Sequence, residues 1–170
     1  STNSSTFNNK NAGTGKTVTV NSITLADGTN GGLASNYSIS TGQTTTANVT
    51  AKALTVSGIS ASNKVYDSTT NATTVLSFSG LIGSETINNT NSSTFDNKNI
   101  GTGKTVTVNS LTLVDGSNGG LASNYSISSG QTTTANVSAR PLTVSNISAS
   151  NKSYNGTTAV TLDTSNVNYN

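Results

Sequence analysis

The chain has 170 residues, with 8 Lys or Arg against 6 Asp or Glu for a net charge of +2, and it contains no His, Cys, Met or Trp. The missing Cys excludes a disulfide framework and thiolate chemistry, and the missing His removes the commonest general base near neutral pH and the commonest metal ligand. Hydrolytic dyads, triads and zinc sites therefore lack parts, and the expectation is a non-enzyme with no catalytic residue and no cofactor.

The first predicted strand is Thr17-Val18-Thr19-Val20, which alternates with period two, followed by Ile23-Thr24-Leu25 in the opposite parity. Alternation puts apolar side chains on one sheet face and Thr on the other. A bulge or tight turn at Asn21-Ser22 restores the inward face. Asn36-Tyr37-Ser38-Ile39-Ser40 reads as another strand, and Gln43 to Thr50 as a Thr-rich one. Leu54-Thr55-Val56 opens the next, with a second parity shift before Ile59; Ala72 to Phe78 and Glu85 to Ile87 follow. Ala12-Gly13-Thr14-Gly15 and Asp27 to Gly32 are Gly-supported turns. No segment carries a 3.6-residue apolar stripe, and β-branched residues dominate, as strands prefer.

The same elements then return. Phe7 recurs as Phe95, Lys16 as Lys104, Asp27 as Asp115, Tyr37 as Tyr125, Leu54 as Leu142 and Tyr66 as Tyr154, always 88 positions on. Roughly four residues in five are identical across 1–70 and 89–158, a self-similarity that sets the architecture. The expected organisation is the C-terminal part of one repeat in 1–53, a complete repeat in 54–141 and the N-terminal part of a following repeat in 142–170: a slice of a longer tandem array. Short strands separated by turn clusters indicate tandem Ig-like β-sandwich units. A strand-swapped β fibre and a β-solenoid are the alternatives; the unit shows no sub-period of the 20–30 residues that a solenoid coil needs.

Leu, Ile, Val and Phe lie near the ~20% level at which disorder is suspected, but the high net charge that accompanies disorder is absent. The apolar residues are also patterned, so the expectation is a folded chain with a lean core, in which neighbouring units matter. Charged residues are 8% of the chain, against about 25% in ordinary domains, and the lysines are dispersed. No basic stripe exists for nucleic acid. No apolar run approaches the ~18 residues of a spanning helix, so membrane insertion is not expected.

Several local motifs have a plain structural reading beside a functional one. Gly13-Thr14-Gly15-Lys16-Thr17 has the tail of a phosphate-binding loop, but Lys10 stands where the first Gly belongs and a strand follows instead of a helix. Asp27 and Asp115 are the candidate calcium ligands; one carboxylate per turn is few for an ion that wants six to eight oxygens, and turn capping is the stronger reading. Thr-rich faces such as Thr44-Thr45-Thr46 are ordinary strand composition. Asn36, Asn48, Asn71, Asn124, Asn136 and Asn146 head Asn-x-Ser/Thr sequons and are the candidate glycosylation sites. Tyr37/Tyr125 and Tyr154/Tyr169 are the aromatics available to a glycan-binding module.

Asn63-Lys64-Val65-Tyr66-Asp67-Ser68-Thr69-Thr70, repeated as Lys152-Ser153-Tyr154-Asn155-Gly156-Thr157-Thr158, resembles the YDG repeat of large bacterial surface adhesins. Asp67 keeps the Asp of the motif and Gly156 the Gly; neither copy has both. Phe95 to Val108, Ser123 to Ile127 and Thr134 to Val137 extend the resemblance over most of the unit. The resemblance implies a filamentous-haemagglutinin-like stalk exported by two-partner secretion from Gram-negative bacteria. It further implies an extracellular location at the cell surface, a role in adhesion or biofilm cohesion, and neighbouring repeats and a host or matrix surface as partners. A self-assembling fibre built by strand complementation is the alternative, and a glycan-binding module a third. Lys64, Tyr66, Asp67, Tyr154, Gly156, Tyr37, Tyr125, Lys16 and Lys104 are the expected structural-motif residues, with Tyr66 packed beside Val65 and hydrogen-bonded through its hydroxyl, and Asp67 capping the next turn.

Overall fold

The computed structural model describes residues 1–170. The chain is all-β: it has no α-helix, only two three-residue 3-10 turns at Ala34–Asn36 and Ala122–Asn124. β1 (Thr2–Phe7), β2 (Gly13–Thr24) and β3 (Thr44–Val49) form an antiparallel sheet in the order β1-β2-β3. β4 (Lys52–Ala53) follows. β5 (Thr55–Ala61) pairs with β8 (Thr74–Ser79), and the connection between them carries β6 (Lys64–Val65) and β7 (Asn71–Ala72). β9 (Ile87–Phe95), β10 (Gly101–Asp115), β11 (Tyr125–Ser126) and β12 (Thr132–Ser138) complete this part of the chain. The main sheet runs β6-β12-β10-β9-β7. Residues 142–170 add β13 (Val144–Ser145), β14 (Ser148–Ala149), β15 (Leu162–Asp163) and β16 (Asn168–Tyr169) as two small antiparallel pairs.

The parity shifts of the sequence appear as slips of strand register. Ser4 faces Ser22 and Ser5 faces Val20, leaving Asn21 unpaired. The same slip leaves out Asn109 in β10 and Ser57 in β5. Each extra residue returns the next apolar side chain to the inner face and adds twist. Val18 pairs with Thr45, and Val106 pairs with Thr133, so identical residues in the two segments meet identical partners.

Two polar strands escaped the sequence reading. β1 and β9 are built almost wholly from Asn, Ser and Thr, and they lie along β2 and β10 over their length. In β9 Ile87, Asn89, Asn91, Ser93 and Phe95 are less exposed than Asn88, Thr90 and Ser92, with Thr94 also half-buried near the core end, the period-two signature of a sheet face written mostly in polar residues. Conversely, Asn36 to Ser40 is not a strand. Ala34–Asn36 is a 3-10 turn and residues 37–40 are irregular; 88 positions on, only Tyr125–Ser126 is extended and paired.

The core is small: 12 of the 170 residues are buried. Phe95, Val106, Ala135 and Val137 form its centre, with Ala61, Tyr66 and Ala72 packed on it. Val108 and Leu54 are buried as well. Buried polar groups are paired, as they must be: the Thr74 hydroxyl donates to Asn91 Oδ1 at 2.7 Å and lies 2.7 Å from Ser93 Oγ. Identical residues differ in burial between segments. Phe95 is 3% exposed and Phe7 40%; Tyr125 is 6% exposed and Tyr37 68%. Over Phe95 the cover comes from Ala61, Tyr66 and Ala72, which pack against the core cluster.

The same substitution in two segments isolates this effect. Val106→Ala removes two buried carbons and leaves a cavity, an expected loss of about 2 kcal/mol. Val18→Ala, at the half-buried equivalent position, is expected to cost less than half as much. Urea unfolding of the two variants checks the difference.

Candidate functional site

The chemistry-bearing side chains gather in two settings: lysines enclosed by oxygens, and a contact where residues 1–53 meet the main sheet. The lysines come first. The Lys64 stem lies along the core, its side chain only 16% exposed, and its ammonium sits 5.7 Å from the Phe95 ring centre. Around Nζ stand Asp67 Oδ1 at 2.8 Å, Thr69 O at 2.9 Å, Thr69 Oγ1 at 3.0 Å and Asn71 O at 3.0 Å. A buried stem with a paired head is how lysine enters a core without stranding its charge. Asp67 Oδ1 also accepts the Thr69 N–H and hydroxyl, each at 2.9 Å, which closes the turn. Ser68 between them has φ 66°, and Gly156 at the equivalent position has φ 72°. This is the left-handed region where only Gly is free of steric cost, so the Gly of the motif answers a backbone requirement. Tyr66 packs its ring on the core, but its hydroxyl takes no hydrogen bond within the chain, and Val65 beside it is half exposed.

Lys16 and Lys104 form a second pair of cages. Lys104, its side chain 9% exposed, donates to Asp96 Oδ1 and Asn97 Oδ1, both at 2.8 Å. Lys16 is buried equally well but has no carboxylate, because Asn8 stands where Asp96 stands 88 residues later. Its ammonium is held by Asn9 O at 2.7 Å, Asn9 Oδ1 at 2.6 Å and the Asn11 carbonyl, below the Phe7 ring. The Gly-Thr-Gly-Lys segment is thus a turn that wraps its own lysine: Gly15 and Gly103 have φ near +60°, and their N–H groups donate to Asn48 and Asn136 Oδ1 at 2.8 Å.

The contact between segments depends on the turn after β10. Asp115 Oδ1 accepts the Ala122 N–H at 2.7 Å, as Asp27 accepts that of Ala34. Both candidate calcium ligands therefore cap turns, and no group of three or more His, Cys, Asp or Glu surrounds either. The loop closes around Thr86, whose Oγ1 accepts the Ser117 N–H at 2.7 Å. A Cβ at Gly116 or Gly120 would collide with the Thr86 carbonyl oxygen, so glycine is required at both positions for this close approach. Fixing Thr86 fixes Glu85 beside Tyr125, whose hydroxyl donates to Glu85 Oε2 at 2.5 Å and accepts the Ile82 N–H at 3.1 Å.

Residues 10–12 dock on this cluster. Lys10 Nζ lies 3.0 Å from Glu85 Oε1, the Ala12 N–H donates to Asn124 Oδ1 at 2.8 Å, and Asn124 Nδ2 donates to Asn11 Oδ1 at 3.2 Å. Between them is a cleft of about 300 Å³ lined in part by Val49, Lys52 and Ile82. β4 reaches across as well, pairing in parallel with β11 (Lys52 with Tyr125, Ala53 with Ser126). The Tyr125 hydrogen bond, then the one from Lys10, holds the Glu85 carboxyl below its ordinary value, and the same contact raises the Tyr125 phenol. Sequence reading identified Tyr125 and Asn124 but missed Lys10, Asn11 and Glu85; the one available signal was that Glu85 is the only Glu in the chain.

The sequons lie in different environments. Asn36, Asn71 and Asn146 are exposed. Asn48 and Asn136 are exposed with Oδ1 engaged by a glycine N–H, and Asn124 has both ends of its amide in the contact with residues 11 and 12. No helix is long and apolar enough to cross a membrane.

The family model for the YDG domain matches residues 1–47 and 50–135. The chain therefore belongs to the YDG domain family. No curated protein and no solved structure matches it.

Ser68→Gly removes the left-handed strain and is expected to stabilise the chain by about 0.5–1 kcal/mol, net of the entropy glycine adds to the unfolded state. A higher urea midpoint at unchanged slope is the readout. The acid limb of stability follows from Asp67. Its hydrogen bond from Lys64, then those from Thr69, bring its carboxyl from 3.8 to about 2. The folded chain thus holds the ionised form more tightly than the unfolded chain. That contribution is complete above 3.8 and is lost as pH falls from there through about 2. Asp67→Asn is expected to be less stable at neutral pH and to show a shallower decline across this window, measured by thermal melts at stepped pH.

Proposed function

We propose that this member of the YDG family is a run of Ig-like β-sandwich units, 88 residues apart, in the stalk of a large secreted bacterial surface adhesin. Its task is mechanical: to carry an adhesive region away from the cell, or to bind a host or matrix surface by avidity along the array. In this reading the β5–β8 hairpin is the second layer over the main sheet. Neighbouring units are the principal partners; nucleic acid and membrane are not.

The observation that carries the reading is the contact of residues 10–12 with Glu85, Asn124 and Tyr125. It joins residues that belong to consecutive 88-residue units by three polar links besides the covalent chain. A lean core gains from such neighbours, as stacked repeats do through their interfaces. The parallel pairing of Lys52–Ala53 with Tyr125–Ser126 favours a second reading, in which units share strands along a continuous fibre and assembly is itself the function.

Electron microscopy of the native array tests the proposal. The stalk reading predicts rods of limited bend, and Glu85→Gln with Asn124→Ala in every unit is expected to shorten the bending persistence several-fold. Freely jointed beads in the unaltered protein, or no change in the variant, rejects the stiffening role. Units merged into one uninterrupted fibre would favour shared strands. Unchanged attachment of cells from which the array has been deleted would reject a part in adhesion.

A further inference from the structure

Asn155 stands immediately before Gly156, and glycine leaves the following main-chain nitrogen unshielded beside an Asn amide carbon. Asn30-Gly31 and Asn118-Gly119 share that sequence, so the surroundings decide which pair reacts. At Asn155 the amide oxygen accepts three hydrogen bonds: from Thr157 Oγ1 at 2.9 Å, from the Lys152 ammonium at 3.0 Å and from the Thr157 N–H at 3.2 Å. The Gly156 N–H donates to nothing, and the neighbouring Tyr154 is 96% exposed, so water reaches the turn. Asn118 is tied through Nδ2 to Ser84 O, and no donor stands on its oxygen or on that of Asn30.

We infer that Asn155 is a self-modifying residue that converts to Asp within its own turn. The Gly156 nitrogen gives its proton to hydroxide and bonds to Asn155 Cγ. The three donors stand on the oxygen that becomes negative in the tetrahedral intermediate, where preorganised donors act most strongly. The Cγ–Nδ2 bond then breaks, and Nδ2 leaves as ammonia after taking a proton from water. One water adds to the five-membered imide. Opening at Cγ restores the main chain and leaves an Asp side chain; opening at the other carbonyl leaves the chain running through the side chain. The net change is one water consumed and one ammonia released, with no oxidation or reduction.

The fold already accommodates the product at the equivalent position. Asp67 receives Lys64 at 2.8 Å and the Thr69 N–H and hydroxyl at 2.9 Å, the same three donor types. Conversion would turn the Lys152 hydrogen bond into an ion pair and remove one unit from the chain's net charge of +2. The inference stands apart from the stalk proposal.

The test is timed incubation of the folded 170-residue chain at mildly alkaline pH, followed by proteolysis and mass spectrometry of all three Asn-Gly peptides. Asn155 is expected to convert several-fold faster than Asn30 and Asn118. That lead should vanish in urea, where only the local sequence acts. Lys152→Met should slow Asn155 while leaving Asn30 and Asn118 unchanged. A folded chain in which Asn155 is no faster than the other two overturns the inference. So does a lead that survives urea or Lys152→Met, because the turn would then contribute nothing.

Discussion

The antiparallel ladder between β9 and β10 is what the rest of the structure depends on. It runs from Val106 opposite Phe95 to Asp115 opposite Ile87. One end delivers Phe95 into the core, where Val106, Ala135 and Val137 meet it. The other end brings Thr86 against the glycines of the 116–120 loop and so sets Glu85 beside Tyr125. Core and inter-segment contact are thus two ends of one ladder. Its strength comes from main-chain pairing and Ser–Ser and Thr–Asn contacts across the strands, since the chain has few apolar side chains to bury. Each such bond is modest in net terms, and their continuity along a long pair compensates for a small core.

Much of this was legible. Alternation in Thr17 to Val20 and its parity shift located β2 and its unpaired Asn21, because apolar residues must return to one face. The turns were legible from glycine, and Asp67 from the short acceptor that a turn requires. β1 and β9 were not, because their inward positions are Asn and Ser whose partners lie in distant strands; hydrophobic periodicity has nothing to register there. Asn36 to Ser40 misled for the opposite reason. Tyr37 and Ile39 alternate, but Leu33 to Asn36 turns with 3-10 hydrogen bonds, and residues 37–40 are left irregular. The contact residues Lys10, Asn11 and Glu85 were silent because a surface Lys or Asn gives no hint of its partner until the fold is known.

The near-identity of the two segments separates what a residue is from what its neighbours make of it. Lys16 and Lys104 are equally enclosed, yet one faces only carbonyl and amide oxygens and the other a carboxylate, by the single difference of Asn8 and Asp96. Phe7 and Phe95, or Tyr37 and Tyr125, have the same chemistry and opposite exposure. In this chain burial is conferred by the hairpin and loops supplied from elsewhere. Backbone conformation, by contrast, is local: Ser68 and Gly156 both take the left-handed conformation, at a steric cost only for Ser68, although Tyr66 beside the first lies on the core and Tyr154 beside the second is almost fully exposed.

The five-stranded sheet is bordered by β6 and β7, each two residues long. Near-identical segments tethered in one chain hold each other's sequences at high local concentration, the condition under which a strand of one copy pairs with the wrong copy and chains aggregate. Very short border strands offer little template for such pairing, and the unpaired Asn21, Asn109 and Ser57 twist the ladders away from flatness. The five-stranded sheet therefore carries its own protection against mispairing, which the six-residue border strands β1 and β3 of the smaller sheet lack, and lengthening β6 or β7 into a regular strand would trade that protection for a more continuous sheet.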